Sequence, residues 1–426
     1  MLICFLMASK AAYADGAKPT IDTGDTAWVL ASSALVLIMT PGLGLFYAGM
    51  VRRKNALGTI LQSFVMCGLA GVLWVLYGYS LAFGPDIGHF VGSLKWIGLS
   101  GVGSDPNPDY AATIPHQAFM IFQAMFAIIT PALITGAFAE RMRFKAFFIF
   151  MIVWFTIVYC PVAHWVWGVG GWLRNLGALD FAGGTVVHIC SGISALCAAI
   201  VLGRRKGYGR EEFKPHNLTM TLIGTGLLWF GWFGFNAGSA LAANGLAANA
   251  FVVTNTAAAM GMITWLMIEW FHHGKPTALG AASGAVAGLV AITPASGYVG
   301  PMAAIAIGAV VSGVCYIAIY LKGRLGYDDS LDVFGVHCVG GTWGAIATGL
   351  FASVAVNAAG ADGLFHGNPM LLVKQLVAIV SVMAYSFILT FVILKVIGIF
   401  TPLRLDKDDE DTGLDLSQHG EVGYSL

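Results

Sequence analysis

Two stretches, AWVLASSALVLIMTPGLGLFYAGM at 27–50 and FFIFMIVWFTIVYCPVAHWVW at 147–167, run on without a formal charge for longer than a globular core requires. A helix needs ~20 apolar residues to cross a bilayer, and each stretch supplies them. The composition agrees. Hydrophobic residues make up 58% of the 426 and charged ones only 10%, against roughly 25% charged in soluble domains. A soluble enzyme or binding module is excluded, and an all-α polytopic membrane protein is expected. Eleven transmembrane helices are expected to begin near Thr26, Ala56, His116, Phe144, Phe181, Leu218, Ala250, Thr277, Val299, Val333 and Leu371. The eighth, Thr277 to Ile292, is short and rich in Gly and Ala.

Net charge is zero and says little, but the placement of charge orients the chain. Arg52, Arg53 and Lys54, then Arg141, Arg143 and Lys145, then Arg204, Arg205, Lys206, Arg210 and Lys214 occupy alternate loops, followed by Lys275, Lys322 and Arg324. Loops of the other parity hold little beyond Lys95 and Arg174. Basic loops stay in the cytoplasm, so the N-terminus is expected outside and the C-terminus inside, which requires an odd number of spans. The division expected is a periplasmic segment at 1–25, a membrane domain at 26–402 and a cytoplasmic tail at 403–426. The opening MLICFLMASKAAYADGA carries the small-residue site Ala12-Tyr13-Ala14 of a cleaved signal peptide, but its apolar core is short and lacks a basic leader, so a mis-set start or a plain tail is the alternative. Seven cysteines, an odd and scattered set with no Cys-x-x-Cys pair, argue against a disulfide framework. Small residues let membrane helices approach closely, which accounts for most of the 55 glycines.

The fifth expected span opens LDFAGGTVVHICSG and the tenth LDVFGVHCVGG. Each runs Leu-Asp, apolar, Gly, branched, His, then small residues. The two spans lie an odd number apart, so Asp180 follows an outside loop and Asp332 an inside one. That is an inverted repeat, spans one to five against six to ten, with the eleventh outside it and the site near the midplane. At 1.5 Å per residue, His188 stands ~12 Å inward of Asp180 and His337 ~8 Å inward of Asp332, so the imidazoles are expected to meet. Ionisable residues within spans are rare and usually functional. Asp180 and Asp332 read as helix N-caps, Asp180 with a second role in steering a cation by its field. Cys190 and Cys338 beside the histidines raise a metal site, but residues one or two apart do not share a helix face, and no metal or other cofactor is expected. No nucleophile–base pair, phosphate loop or paired inward carboxylate points to an enzyme.

The stretches DFAGGTVVH, GWFGFNAGSA, DVFGVH, AFAERMRF and FKPHN closely resemble the bacterial ammonium transporters of the Amt/Mep/Rh superfamily, and the resemblance runs to GLDLSQHGEVGY in the tail. It implies ammonium transport through a pore. FQAMFA makes Phe126 the counterpart of the outer gating ring and Phe122 its neighbour at the vestibule. AHWVWG makes Trp167 the ring over the external cation site. GWFGFNAGS supplies Phe235 as the second gate ring, Ser239 as the vestibule hydroxyl and Trp232 as a lumen-lining ring. His188 and His337 correspond to the twin pore histidines, and Asp180 to the aspartate below the external site. Also implied are a homotrimer in the cell (inner) membrane, lipid around it, and a PII-type signalling protein on the cytoplasmic face; no nucleic-acid partner is expected. The chain departs from the pattern at Gln123, Ala124 and Met125, which are bulkier, and in the loop GVGGWLRNLGALD, which adds Arg174. The alternative is an ammonium sensor signalling through a PII-type partner. A kinase or cyclase domain would mark a sensor, and the tail RLDKDDEDTGLDLSQHG holds neither.

Overall fold

Asp22 starts the first helix. Its carboxylate accepts from the Asp25 amide at 2.8 Å, satisfying one of the free donors at a helix start, and Thr23–Met50 then runs unbroken through Pro41. The computed structural model describes residues 20–425; the expected signal peptide and Cys4 lie outside the described residues. The first helix packs on Leu218–Ala240 almost backbone to backbone. A Cβ on Gly224 would stand 2.4 Å from the Phe46 amide nitrogen, and one on Gly49 2.2 Å from Thr221 Oγ1. Glycine is what that approach requires.

Among the described residues, nine helices are long and apolar enough to cross a membrane: Thr23–Met50, Arg53–Phe83, His116–Phe138, Phe144–Leu176, Gly184–Leu202, Leu218–Ala240, Gly245–His273, Pro301–Leu325 and Pro369–Phe400. Two further helical segments fall at the remaining expected positions. Ala278–Ile292 is apolar but only 15 residues long, and Phe334–Cys338 runs on into Val339–Phe351. The shortness of Ala278–Ile292 has a packing reason. Gly284 and Gly288 face neighbouring backbone, a Cβ on Gly288 falling 2.3 Å from the Ala257 carbonyl oxygen, and most of the segment is buried in protein.

Two features carry no sequence signal. The loop from Gly84 to Pro115 folds into two small hairpins, Asp86–Ile87 with Val91–Gly92 and Pro106–Asn107 with Ala111–Pro115. Tyr110 pins the second by donating to the Phe83 carbonyl at 2.7 Å. Among the described residues four π-helical turns also occur within the helical segments, at Trp74–Gly78, Phe155–Tyr159, Gly184–Ile189 and Phe334–Cys338. Such turns are rare and cluster at functional sites; here the last two carry His188 and His337.

On the basic face, opposite the hairpins, the loops are locked by buried ions. Arg205 grips Asp328 with two bonds of 2.9 Å, and Glu140 pairs with Arg52 at 2.8 Å and Arg205 at 3.6 Å. The ring of Phe213 lies under both guanidiniums, 4.9 Å from Arg52 and 4.2 Å from Arg205. The tail docks here too. Asp415 accepts from the Leu57 and Gly58 amides at 3.1 and 2.8 Å, and Tyr424 bonds His216 at 2.9 Å. Burial pushes the Asp328 carboxyl up, but the Arg205 bonds and charge outweigh it and hold the group below its usual range. A depressed carboxylate stabilises the fold above its unfolded pKa, and that contribution is lost as pH falls through the folded value. Arg205→Ala is therefore expected to lower stability at neutral pH by about 3–5 kcal/mol, the cost of stranding a buried charge. It should also flatten the acid loss. Thermal unfolding in detergent across pH reads both effects.

Candidate functional site

Asp180 organises one half of the site. Its Oδ1 accepts from the Gly183 and Gly184 amides at 2.8 and 2.7 Å, and its Oδ2 from those of Thr185 and Val186 at 2.7 and 3.3 Å, with the Thr185 hydroxyl as a fifth donor. Gly183 supplies the left-handed φ of 117° from which the π-turn starts. The carboxylate is only 7% exposed and its lone pairs are taken, so a cation meets its field rather than its oxygens.

Asp332 does not repeat this. Its φ of 61° is left-handed, and that turns the side chain away from the helix start and into an ion pair with Lys322. The cap on Phe334–Cys338 comes from Asp329, whose Oδ2 accepts from the Phe334 amide at 2.7 Å. The Leu-Asp match therefore pointed to the wrong member of the run DDSLD.

The histidines do meet. Nδ1 of His337 and Nδ1 of His188 are 3.3 Å apart, the rings nearly parallel at 19°, and both are buried. Two glycines make the crossing possible. Gly192, four residues after His188, would put a Cβ 2.3 Å from the Cys338 amide nitrogen. Gly341, four residues after His337, would put one 3.0 Å from the Gly184 oxygen and from His188 Cβ. Each helix thus presents a glycine to the other's histidine turn. An Nδ1–Nδ1 bond needs one protonated and one bare nitrogen, so the pair holds opposite tautomers and its two Nε2 atoms offer one donor and one acceptor. His188 Nε2 has no protein partner. Trp232 and Phe235 lie nearly parallel to His188, at 5.4 and 6.1 Å, and Trp232 is held by a 2.9 Å bond from Nε1 to Thr293.

Two cavities flank an aromatic partition. The inner one, about 10 Å³, is lined by both histidines with Met39, Leu43, Phe46, Leu228, Trp232 and Phe235 among others; that is about the room one water-sized molecule needs. The outer one, about 430 Å³ on the hairpin face, is lined by Phe126, Trp167, Asp180, Ser239, Gln123 and Arg174 among others. Phe126 and Phe235 close the space between, with centroids 4.3 Å apart and no exposure. Trp167 stands edge-on to Phe126 at 5.7 Å and is fixed by donating to the Asp180 carbonyl at 2.9 Å. Ser239 donates to the Phe235 carbonyl at 2.9 Å, which leaves its oxygen free to accept. Phe122 is the exception among the expected residues. It is buried behind Phe126 at 5.1 Å and does not line the outer cavity.

Sequence reading noted Gln123 only for its bulk, yet its Oε1 is buried without a partner at the outer cavity. It noted Arg174 only as an added charge; the guanidinium donates to the Trp167 carbonyl at 2.6 Å and so braces that ring. Thr293 was missed, with no signal to find it. Among the described residues no group of three or more His, Cys, Asp or Glu is placed to hold a metal.

Long apolar helices around two tilted phenylalanine rings, with a buried histidine pair beyond them, define a multi-pass membrane protein. The sequence profile of the Ammonium Transporter Family matches residues 27–424, and the chain belongs to that family. It is 56% identical over 402 residues to the ammonium transporter of Bacillus subtilis strain 168, covering 94% of this chain and 98% of that one. Its fold is similar to the crystal structure of Saccharomyces cerevisiae Mep2, with a TM-score of 0.86, 38% identity and 91% of each chain covered. A structure titled Sensor Amt Protein also superimposes, at a TM-score of 0.85 and 28% identity, over 93% of this chain and 98% of that one.

Proposed function

We propose that this chain moves ammonium into the cell, taking the ion apart at the phenylalanine gate and passing ammonia and its proton separately. The observation that carries the reading is the histidine pair, 3.3 Å apart at the end of an apolar path. Ammonium is small, cationic and a four-fold hydrogen-bond donor. Aromatic faces attract cations by ~0.5–2 kcal/mol each, so Trp167 and Phe126 recruit it, with Ser239 accepting one donor and the Asp180 charge close behind. Phe126 and Phe235 form the gate, and Phe122 supports Phe126 from behind.

Beyond the gate an intact cation meets a desolvation penalty of several kcal/mol. Ammonium has a pKa of about 9, so giving up its proton at neutral pH costs roughly 3 kcal/mol at 1.36 per unit. Deprotonation is cheaper than desolvation. Neutral ammonia both donates and accepts, as the two Nε2 atoms do. A proton arriving on one Nε2 can leave from the other as the Nδ1–Nδ1 bond switches direction. Trp232 walls the path beside them. No step needs enzyme chemistry or a cofactor.

The same reading has eleven spans, the short Ala278–Ile292 and the broken Phe334–Phe351 included, in an inverted five-helix repeat plus one. The basic loops and the segment 403–426 face the cytoplasm, residues 1–25 and the hairpins face outward, and 26–402 forms the membrane domain. It also has a homotrimer in the cell (inner) membrane, with a PII-type protein as cytoplasmic partner. Likeness to a protein titled a sensor favours one second reading, that the chain reports ammonium through such a partner. Uptake rescue in a host lacking ammonium transport separates the two, since a pure sensor restores no growth. For the recruiting site, Trp167→Leu removes one cation–π face and is expected to weaken apparent ammonium affinity ~2–30-fold, measured as the half-saturating concentration of the evoked current. An unchanged value would take Trp167 out of the site.

A further inference from the structure

Asp180 and Asp329 cap the two π-turns that carry the histidines, yet they are spent differently. Asp180 uses both oxygens on backbone amides. Asp329 uses Oδ2 on the Phe334 amide and leaves Oδ1 without a partner, in a side chain only 1% exposed. An asparagine would cap as well without burying a bare carboxylate oxygen, so capping alone does not account for the residue.

Its surroundings suggest what does. Leu133 and Phe46 line the inner cavity beside His337. The Tyr47 hydroxyl donates to the Leu133 carbonyl at 2.9 Å, and the Tyr47 ring and Val333 close in on the same point, each 2.7 Å from where a Gly136 Cβ would stand. Asp329 comes next, within electrostatic reach of Tyr47. His337 stands three residues past Phe334, ~5 Å along the axis at 1.5 Å per residue. The bare oxygen thus belongs to the group that caps the turn carrying His337, and a relay between the two requires bridging water.

We infer that Asp329 is the proton-release group of the conduit, its free oxygen accepting the proton from the histidine pair and passing it to the cytoplasm. This rests on the ammonium-and-proton reading above. The step is proton transfer alone: an imidazolium returns to imidazole, the carboxylate becomes a carboxylic acid, and the acid then gives its proton to cytoplasmic water. The charged and titratable groups around Asp329 are Lys322 and Arg141 on the neighbouring elements, Asp332 and Tyr327 on its own loop, and Tyr47. Burial pushes the Asp329 carboxyl up to about 6, against the pull of Lys322 and with Asp332 adding to the rise. An acceptor of that strength is free above about 6 and blocked below it.

The test uses oriented proteoliposomes holding the whole chain, with ammonium added at the hairpin face at fixed pH and the pH at the basic face stepped through the region of 6. Wild-type current is expected to halve near 6 and fall about tenfold one unit lower. Asp329→Asn, whose amide oxygen can still cap Phe334, is expected to carry less than about a tenth of the wild-type current and to lose that pH dependence. Asp329→Glu is expected to conduct with a displaced midpoint. Current in Asp329→Asn within twofold of wild type with the same pH dependence would overturn the assignment. So would an unmoved midpoint in Asp329→Glu, which decides the matter if the asparagine variant does not fold. A wild-type vesicle with no ammonium current would sink the transport reading itself and the assignment with it.

Discussion

Replacing His188 and His337 together by alanine is expected to reduce ammonium-evoked current by at least ~100-fold, the scale on which a positioned proton-transfer group contributes. Each ring is tied to the other through the Nδ1–Nδ1 contact, so either single replacement breaks the relay as the double one does. The losses should therefore be strongly non-additive, as for groups that act as a unit. Alanine also widens the lumen beside Trp232 and Phe235. If the double variant passes anything, it should pass it with less discrimination between ammonium and other small monovalent cations. Current at wild-type level with unchanged selectivity would mean that the pair relays nothing.

The second large effect is expected far from any titratable atom. Gly192→Ala adds one methyl group, but its carbon would stand 2.3 Å from the Cys338 amide nitrogen, a backbone atom that cannot turn aside. The two helices must part, and the histidines part with them. Overpacking of this kind costs about 1–3 kcal/mol, and a displacement of about 1 Å in a positioned pair can lower a rate ~100-fold. The expected outcome is a modest fall in thermal stability with a ~10–100-fold fall in current. Gly226→Ala is the control: no atom lies within 4 Å of where its Cβ would be, and neither quantity should move. Equal current in Gly192→Ala and wild type would show that the histidine spacing does not set the rate.

These sites differ in how openly the sequence announced them. His188 and His337 were legible because the motif recurs, and because an ionisable group in an apolar span is costly enough to need a reason. Phe126, Phe235 and Trp167, which the fold brings together between the two cavities, stood out only through family resemblance, since an aromatic ring in a membrane helix has no periodicity that separates a pore position from lipid packing. Phe122 shows the limit of that route, for it shares Phe126's motif yet is turned into the core. Asp329 was hidden by a plausible match one turn along the run DDSLD. Which of its three aspartates caps the helix depends on the left-handed φ at Asp332, and a non-glycine residue gives no warning of that conformation. The π-turns were illegible for a related reason, because an i→i+5 bond leaves no residue pattern. The helices themselves were the easy part, and even Ala278–Ile292 was marked as short before its packing explained why.

Ammonia and its proton are expected to reach the same side together, so that each ammonia delivered carries one positive charge across. Current and a lumenal proton-sensitive dye, recorded together on wild-type proteoliposomes after an inward ammonium step, test it most directly. The expected record is an inward current with lumenal pH nearly constant, since each ammonia that arrives meets the proton that came with it. Lumenal alkalinisation without current would mean that ammonia crosses alone and would contradict the account.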